Sequence, residues 1–227
     1  MFAIAIDGPA GAGKSSAARA AAKKLGFIYV DTGALYRTVG LYMLRKGISL
    51  EEKEKIVENL PGAVIELRFL SGEQHVFLCG EDVSGEIRTP QVSMAASAVS
   101  AIPEVRRFLF DLQLSLAEKN NVLMDGRDIG TVVLPHAQVK IFLTASAQER
   151  ARRRCLELEQ KGQPQPYEKV LEEIQQRDYQ DSHRAIAPLV PAEDAILVDT
   201  SDCNLEEAVE RILQIVHEKL PENTIDF

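Results

Sequence analysis

Eight residues constrain this chain more than any others: Gly8-Pro9-Ala10-Gly11-Ala12-Gly13-Lys14-Ser15. They fill the pattern G-x-x-x-x-G-K-[S/T] at every position. The flanks agree with it. Phe2 to Ile6 is a short apolar run, as expected of a buried strand in a parallel sheet. Ser15 to Leu25 is rich in Ala, Lys and Arg and predicts a helix, with Gly26 as its end cap. A strand turning through glycines into a helix aims successive backbone N–H groups and the positive end of the helix dipole at one place. That place suits a phosphate chain. Gly8 to Gly13, Lys14, Ser15 and Ser16 are therefore the candidate nucleotide-binding residues. Lys14 suits the β- and γ-phosphates, and the Ser15 hydroxyl suits Mg²⁺. Such a loop names a bound nucleotide and leaves the reaction open.

The rest of the chain alternates strands and helices. Phe27 to Val30 predicts a strand, Ala34 to Lys46 a helix closed by Gly47, and Leu50 to Leu60 a charged, exposed helix. The rhythm then breaks. Ala63 to Leu70 and His75 to Cys79 flank Ser71-Gly72-Glu73-Gln74, which predicts a β-hairpin. Two helices follow, Gln91 to Ala101 and Pro103 to Lys119. Strand character returns at Val122 to Met124 and Val139 to Thr144. Helices are predicted at Ala147 to Lys161 and Glu168 to Arg184, then a strand at Ile196 to Val198 and a helix at Leu205 to Lys219. This pattern predicts an α/β fold, a parallel sheet flanked by helices, with an inserted lobe.

Composition removes several function classes. With 227 residues, 45% hydrophobic and 26% charged, the chain is an ordinary globular one, not disordered, collagenous or a coiled coil. A net charge of −8, no Trp and 6% aromatic residues leave no basic-aromatic platform for nucleic acid. Cys79, Cys155 and Cys203 form neither a disulfide framework nor a metal clip, which favours a reduced, cytoplasmic setting. No basic leader precedes Asp7, and no apolar run is long enough to span a membrane.

Three clusters are candidates for the second substrate. Asp31-Thr32-Gly33-Ala34-Leu35-Tyr36-Arg37 follows the second strand, where ligands bind in open α/β sheets. Taken alone, Thr32 as a plain helix cap and Arg37 as a surface residue are the better explanation of it. Asp125-Gly126-Arg127-Asp128 follows an apolar strand. Asp125 can hold Mg²⁺ directly or through water, and Arg127 and Asp128 can face one cleft or form a simple ion pair. Arg177, Asp181 and Arg184 are spaced to share one helical face, as site residues or as a solvated ladder. Upstream, Arg150, Arg152, Arg153 and Arg154 form a basic block in an acidic chain. Arginines of a mobile segment can stabilise a transferring phosphoryl group, so Ala147 to Arg184 is a candidate lid.

These blocks resemble the bacterial cytidylate kinases, of the nucleoside monophosphate kinase group of P-loop proteins. The resemblance covers about residues 3 to 215. Besides Ile6 to Lys14 and Asp31 to Arg37, it rests on Gly80 to Thr89, Asp125 to Val133 and Arg184-Ala185-Ile186-Ala187-Pro188-Leu189. It implies phosphoryl transfer from ATP, with Mg²⁺, to CMP or dCMP. It implies a core (1–33, 120–145, 190–220), a monophosphate-binding region with the hairpin insert (34–119) and a lid (146–189). It also implies roles. Ser97, Arg106 and Asp128 read cytosine; Arg37, Arg127 and Arg184 hold the monophosphate; Arg177 and Asp181 contact the sugar. Thr32 stands where many relatives carry serine and also belongs to the acceptor site. Lys14, with Arg150, Arg153 and Arg154 from the lid, covers the transferring group, and Ser15 and Asp125 hold the metal. The resemblance implies a monomer. A UMP or AMP kinase differs only in the base-reading set. A guanine-nucleotide switch needs an Asn-Lys-x-Asp-like reader, and the sequence has none in evidence.

Overall fold

A computed structural model describes residues 1–70, 73–160 and 162–220. The chain begins with β1 (Ala3–Asp7) and α1 (Lys14–Leu25). Next come β2 (Ile28–Asp31), α2 (Thr32–Arg45), α3 (Lys53–Asn59), β3 (Ile65–Leu70), β4 (Glu73–Leu78), β5 (Glu81–Asp82), α4 (Pro90–Ser100) and α5 (Pro103–Lys119). The last part holds β6 (Val122–Gly126), a π-helical turn (Ile129–Val133), β7 (Val139–Thr144), α6 (Ala147–Gln160), α7 (Tyr167–His183), β8 (Ile196–Asp199) and α8 (Leu205–His217).

Two compact units result. The larger joins Phe2–Phe27 to Asn121–Phe227, and the smaller is Ile28–Asn120 with Met1. In the larger unit four parallel strands run in the order β6-β1-β7-β8. Ile4, the pivot of the register, lies beside Leu123 on one side and Val139 on the other. Ile4, Ile6, Leu123, Met124, Ile141 and Leu143 are fully buried. Strands covered on both faces need such unbroken apolar runs, which is why they showed in the sequence. Helices α1 and α8 pack against each other, and α8 starts in a capping box made by Asn204 and Glu207. Helices α6 and α7 pack around Ala151, Leu158 and Val170.

The smaller unit has its own apolar core, centred on Leu35, Val39, Met43, Ile56, Ile87, Val99 and Leu109. The hairpin pairs Ile65 with Leu78 through to Leu70 with Glu73, and β5 adds a third strand. Glu73 and Gln74, assigned to the turn from the sequence, are strand residues. Ser71 and Gly72 of that turn lie outside the described residues, as does Lys161 at the end of the expected first lid helix. The segment Leu50 to Leu60 is shorter than expected and buries Ile56 completely.

Ile28 to Gly33 cluster with the smaller unit, where the Gln74 side chain bonds both the N–H and the C=O of Asp31. Residues 146–189 cluster with the larger unit and form no third unit of their own.

Candidate active site

In the larger unit the site begins where β1 ends. Gly8 has φ +149°, and a Cβ there would lie 1.9 Å from the Leu143 carbonyl oxygen at the end of β7. No side chain fits, so glycine alone lets the loop pass. Gly13, at φ +84°, caps α1 without a side-chain partner, leaving the first helical N–H groups to the loop.

Lys14 is 5% exposed, and its Nζ donates to the Pro9 carbonyl at 2.7 Å. Burial pushes its ammonium well below the ordinary value. Arg127 and Arg177 push the same way, while Asp125 and Asp7 oppose them. A desolvated Lys14 thus lies within reach of two partly exposed arginines and two carboxylates, an arrangement that suits a bound anion. The Ser15 hydroxyl donates to Asp125 Oδ2 at 2.8 Å. Asp125 lies inside β6 rather than after it, since that strand runs on to Gly126.

Around this centre the second and third sequence clusters meet. Arg127 Nε donates to Asp181 Oδ2 at 2.9 Å. Arg184 Nη2 lies 3.7 Å from Asp128 Oδ1. Asp128 and Asp181 are both buried. Arg184 does not continue the helical face of Arg177 and Asp181. Helix α7 ends at His183, Arg184 is extended (φ −64°, ψ 141°), and its Nε donates to the Ala187 carbonyl at 2.6 Å. Beyond the helix end, Ala187 sits at φ +48° and its carbonyl meets Arg184 Nε.

The basic block of α6 splits three ways. Arg150 is buried. Its donors go to the carbonyls of Ala145 and Ala10 and to both carboxylate oxygens of Asp178. Arg153 Nη2 donates to the Thr200 carbonyl at 2.6 Å, and its Nε to Glu149 at 3.1 Å. Arg154 pairs with Glu157 on its own helix. Arg150 and Arg153 lie against the loop, beside Gly11 and Gly13.

The smaller unit holds the remaining candidates. Asp31, not Thr32, caps α2: its side chain accepts from Ala34 N at 3.0 Å and from Arg37 Nη2 at 2.6 Å. A carboxylate at the end of a strand competes better for a helix N–H than the hydroxyl after it. Thr32 is instead the buried first residue of that helix. Arg37 Nε is buried with no hydrogen-bond partner among the described residues. Arg106 Nη1 donates to the Ser100 carbonyl at 3.3 Å, and its guanidinium lies 5.6 Å from the Tyr36 ring centre. Ser97, half-buried one turn before Ser100 on α4, accepts from the Ser100 hydroxyl through its carbonyl.

Sequence reasoning left out two carboxylates. Asp178 follows Arg177 directly and gave no signal of its own. Asp7 follows an apolar run in the sequence just as Asp125 does, so the same signal was available. Among the described residues no three His, Cys, Asp or Glu side chains gather as a metal site. A cation there takes oxygens from one hydroxyl, one carboxylate, phosphates and water, a donor set that fits Mg²⁺.

Three comparisons complete the description. The family model described as cytidylate kinase matches residues 4–218. A curated cytidylate kinase from Caldanaerobacter subterraneus subsp. tengcongensis is 58% identical over 213 residues, 94% of this chain and 93% of that one. Another, from Caldicellulosiruptor saccharolyticus, is 52% identical over 214 residues, 94% of this chain and 95% of that one. Among solved structures, an uncharacterized protein from Eubacterium ventriosum shares the fold alone, with a TM-score of 0.53 at 10% identity over 96% of this chain and 99% of that one.

Proposed function

The chain belongs to the cytidylate kinase family, and on that premise we propose how its residues divide the transfer of a phosphoryl group from ATP to CMP or dCMP, giving ADP and CDP or dCDP. An oxygen of the monophosphate attacks the γ-phosphorus, and the bond from that phosphorus to the β,γ-bridging oxygen breaks. The attacking oxygen is already anionic, so no general base is needed. Alignment and charge neutralisation carry the reaction.

The loop from Gly8 to Ser16 cradles the ATP phosphates through its backbone N–H groups, Pro9 having none to give, and Lys14 neutralises the β- and γ-phosphates. The observation that carries this reading is the burial of Lys14 beside Arg127 and Arg177. Such crowding of cations is stabilised by a polyphosphate. Ser15 and Asp125 are the residues to hold Mg²⁺, which supplies further neutralisation of the phosphate oxygens when bound. Arg127 and Arg184 hold the acceptor phosphate, and Arg37, whose Nε is buried, is assigned the same role. Arg177 and Asp181 take the sugar hydroxyl, and Thr32 belongs to the acceptor site. Arg153 and Arg154 cover the transferring group. Arg150 braces the loop through the Ala10 carbonyl.

Asp128, Ser97 and Arg106 read the base. Cytosine presents an amino donor at N4 and acceptors at N3 and O2, which a carboxylate, an arginine and a hydroxyl match. Uracil reverses part of that pattern. A mispaired buried polar group costs about 1–3 kcal/mol, roughly tenfold to a hundredfold in selectivity. The same reading makes the chain a cytoplasmic monomer acting on free nucleotides, with no nucleic-acid partner.

The test supplies CMP, dCMP, UMP or AMP singly with ATP·Mg²⁺ and measures ADP. Fast turnover with CMP and dCMP and slow turnover with UMP and AMP is expected. Equal turnover with UMP would remove the base-reading roles.

A further inference from the structure

Asp7 is absent from the roles above, yet it is among the most constrained side chains of the larger unit. It is the last residue of β1 and is 4% exposed. Both carboxylate oxygens are engaged: Oδ1 accepts from Ile129 N at 2.8 Å and Oδ2 from Gly130 N at 2.7 Å. These N–H groups open the π-helical turn, and an opening N–H has no partner within its own turn. The residue just before them is Asp128, which the turn grips through its carbonyl: Val132 N bonds it at 2.9 Å and Val133 N at 3.2 Å. Asp128 is thus held from inside the turn, and the turn is held at its start by Asp7.

Gly130 takes part in this fit. A Cβ there would lie 3.2 Å from Lys140 Cδ, a tight contact, and would touch Asp7 Oδ2 at 3.4 Å, so an added methyl presses on the lysine chain beside the carboxylate. On its other side Asp7 is bonded directly to Gly8, the first residue of the phosphate loop. One carboxylate therefore joins the start of the loop to the turn that carries Asp128. π-Helical turns are uncommon and concentrate at functional sites.

We infer that Asp7 is a positioning residue for base selectivity: its two hydrogen bonds fix the Ile129–Gly130 backbone, and through it Asp128, relative to the phosphate loop. The inference rests on the proposed base-reading role of Asp128. The electrostatics agree with a purpose beyond packing. Burial raises the Asp7 carboxyl to about 6, against the two backbone hydrogen bonds that lower it, so the fold keeps a carboxylate where it is costly.

The test compares kcat/KM for CMP and for UMP, at saturating ATP, in the wild type, Asp7→Asn, Gly130→Ala and Asp128→Asn. The ratio of the two constants is independent of the folded fraction, so simple destabilisation does not move it. Asp7→Asn keeps one acceptor oxygen and turns an amide donor toward the other N–H. The CMP-to-UMP ratio is expected to fall at least about fivefold in Asp7→Asn and about threefold in Gly130→Ala. Asp128→Asn is expected to lower it further. If Asp128→Asn lowers the ratio while Asp7→Asn and Gly130→Ala stay within twofold of wild type, the positioning role is overturned and the base reader stands. If Asp128→Asn also leaves the ratio unchanged, the base-reading role falls and this inference with it. Should Asp7→Asn not fold, Gly130→Ala decides by the same ratio.

Discussion

The two units bury different things. In the smaller, burial is almost wholly apolar, and Asp31 is the one charged side chain buried among the described residues. In the larger, Asp7, Lys14, Asp125, Asp128, Lys140, Arg150 and Asp181 are all buried. Buried charge is costly unless paired, and these groups are bonded to backbone or to side chains outside the set, as Asp181 is to Arg127 and Arg150 to Asp178. Of the buried cations Lys14, Lys140 and Arg150, Lys14 alone has no carboxylate hydrogen bond among the described residues: it donates to a carbonyl, with two arginines opposing its charge and Asp125 and Asp7 favouring it. The difference teaches where stability has been exchanged for chemistry. The smaller unit is an apolar scaffold carrying a few polar ends, and the larger is a charged lattice built around a phosphate loop.

That contrast can be broken most sharply at Lys14. Lys14→Met is expected to lower kcat by about 10³-fold or more while leaving Tm unchanged or higher, because a desolvated cation is removed. Turnover assays with differential scanning calorimetry check both halves, and a large fall in Tm would mean the lysine serves the fold. Arg184→Ala comes next, with a loss of about 10²-fold or more in turnover. Near-normal turnover would sink its assigned role. The opposite behaviour is expected in the smaller unit. Ile56, fully buried there, should cost about 2–5 kcal/mol of stability when changed to Ala. Denaturant unfolding measures that loss, and kcat per folded molecule should stay within twofold.

The smallest effect depends on pH. The folded-state pKa of Asp7 is raised to about 6 from an ordinary 3.8. The folded protein therefore holds this proton more tightly than the unfolded chain does. The favourable contribution is complete below about pH 4 and is lost as pH rises through about 6. Two units correspond to about 3 kcal/mol as an upper scale. Unfolding free energies measured at pH 4 and pH 7 should shift in favour of Asp7→Asn at the higher pH. No shift would mean that Asp7 titrates normally.

What the sequence made legible was whatever depends on contiguous residues. The phosphate loop is one unbroken motif. β7 and α5 have the bounds their hydrophobic patterns predict, Val139–Thr144 and Pro103–Lys119. The features missed depend on partners distant in the chain. The π-helical turn is Ile-Gly-Thr-Val-Val, whose β-branched residues favour a strand, and it is held by a carboxylate 122 residues earlier. The pairing of Arg150 with Asp178 was not legible, because nothing in the neighbourhood of Arg150 points to a carboxylate 28 residues on. Arg184 looked helical because periodicity does not mark a helix end that lacks Gly or Pro beside it. The base-reading roles proposed for Ser97, Arg106 and Asp128 came from resemblance alone, since these residues share no local pattern.

The central claim is that the loop's charge lattice transfers a phosphoryl group to a bound acceptor and is not a hydrolytic switch. ADP formation from ATP·Mg²⁺ with and without CMP, at one enzyme concentration, tests it most directly. The account predicts rapid ADP formation with CMP, balanced by CDP, and a rate lower by about a hundredfold or more without it. ADP formation at the same rate whether or not CMP is present would contradict it.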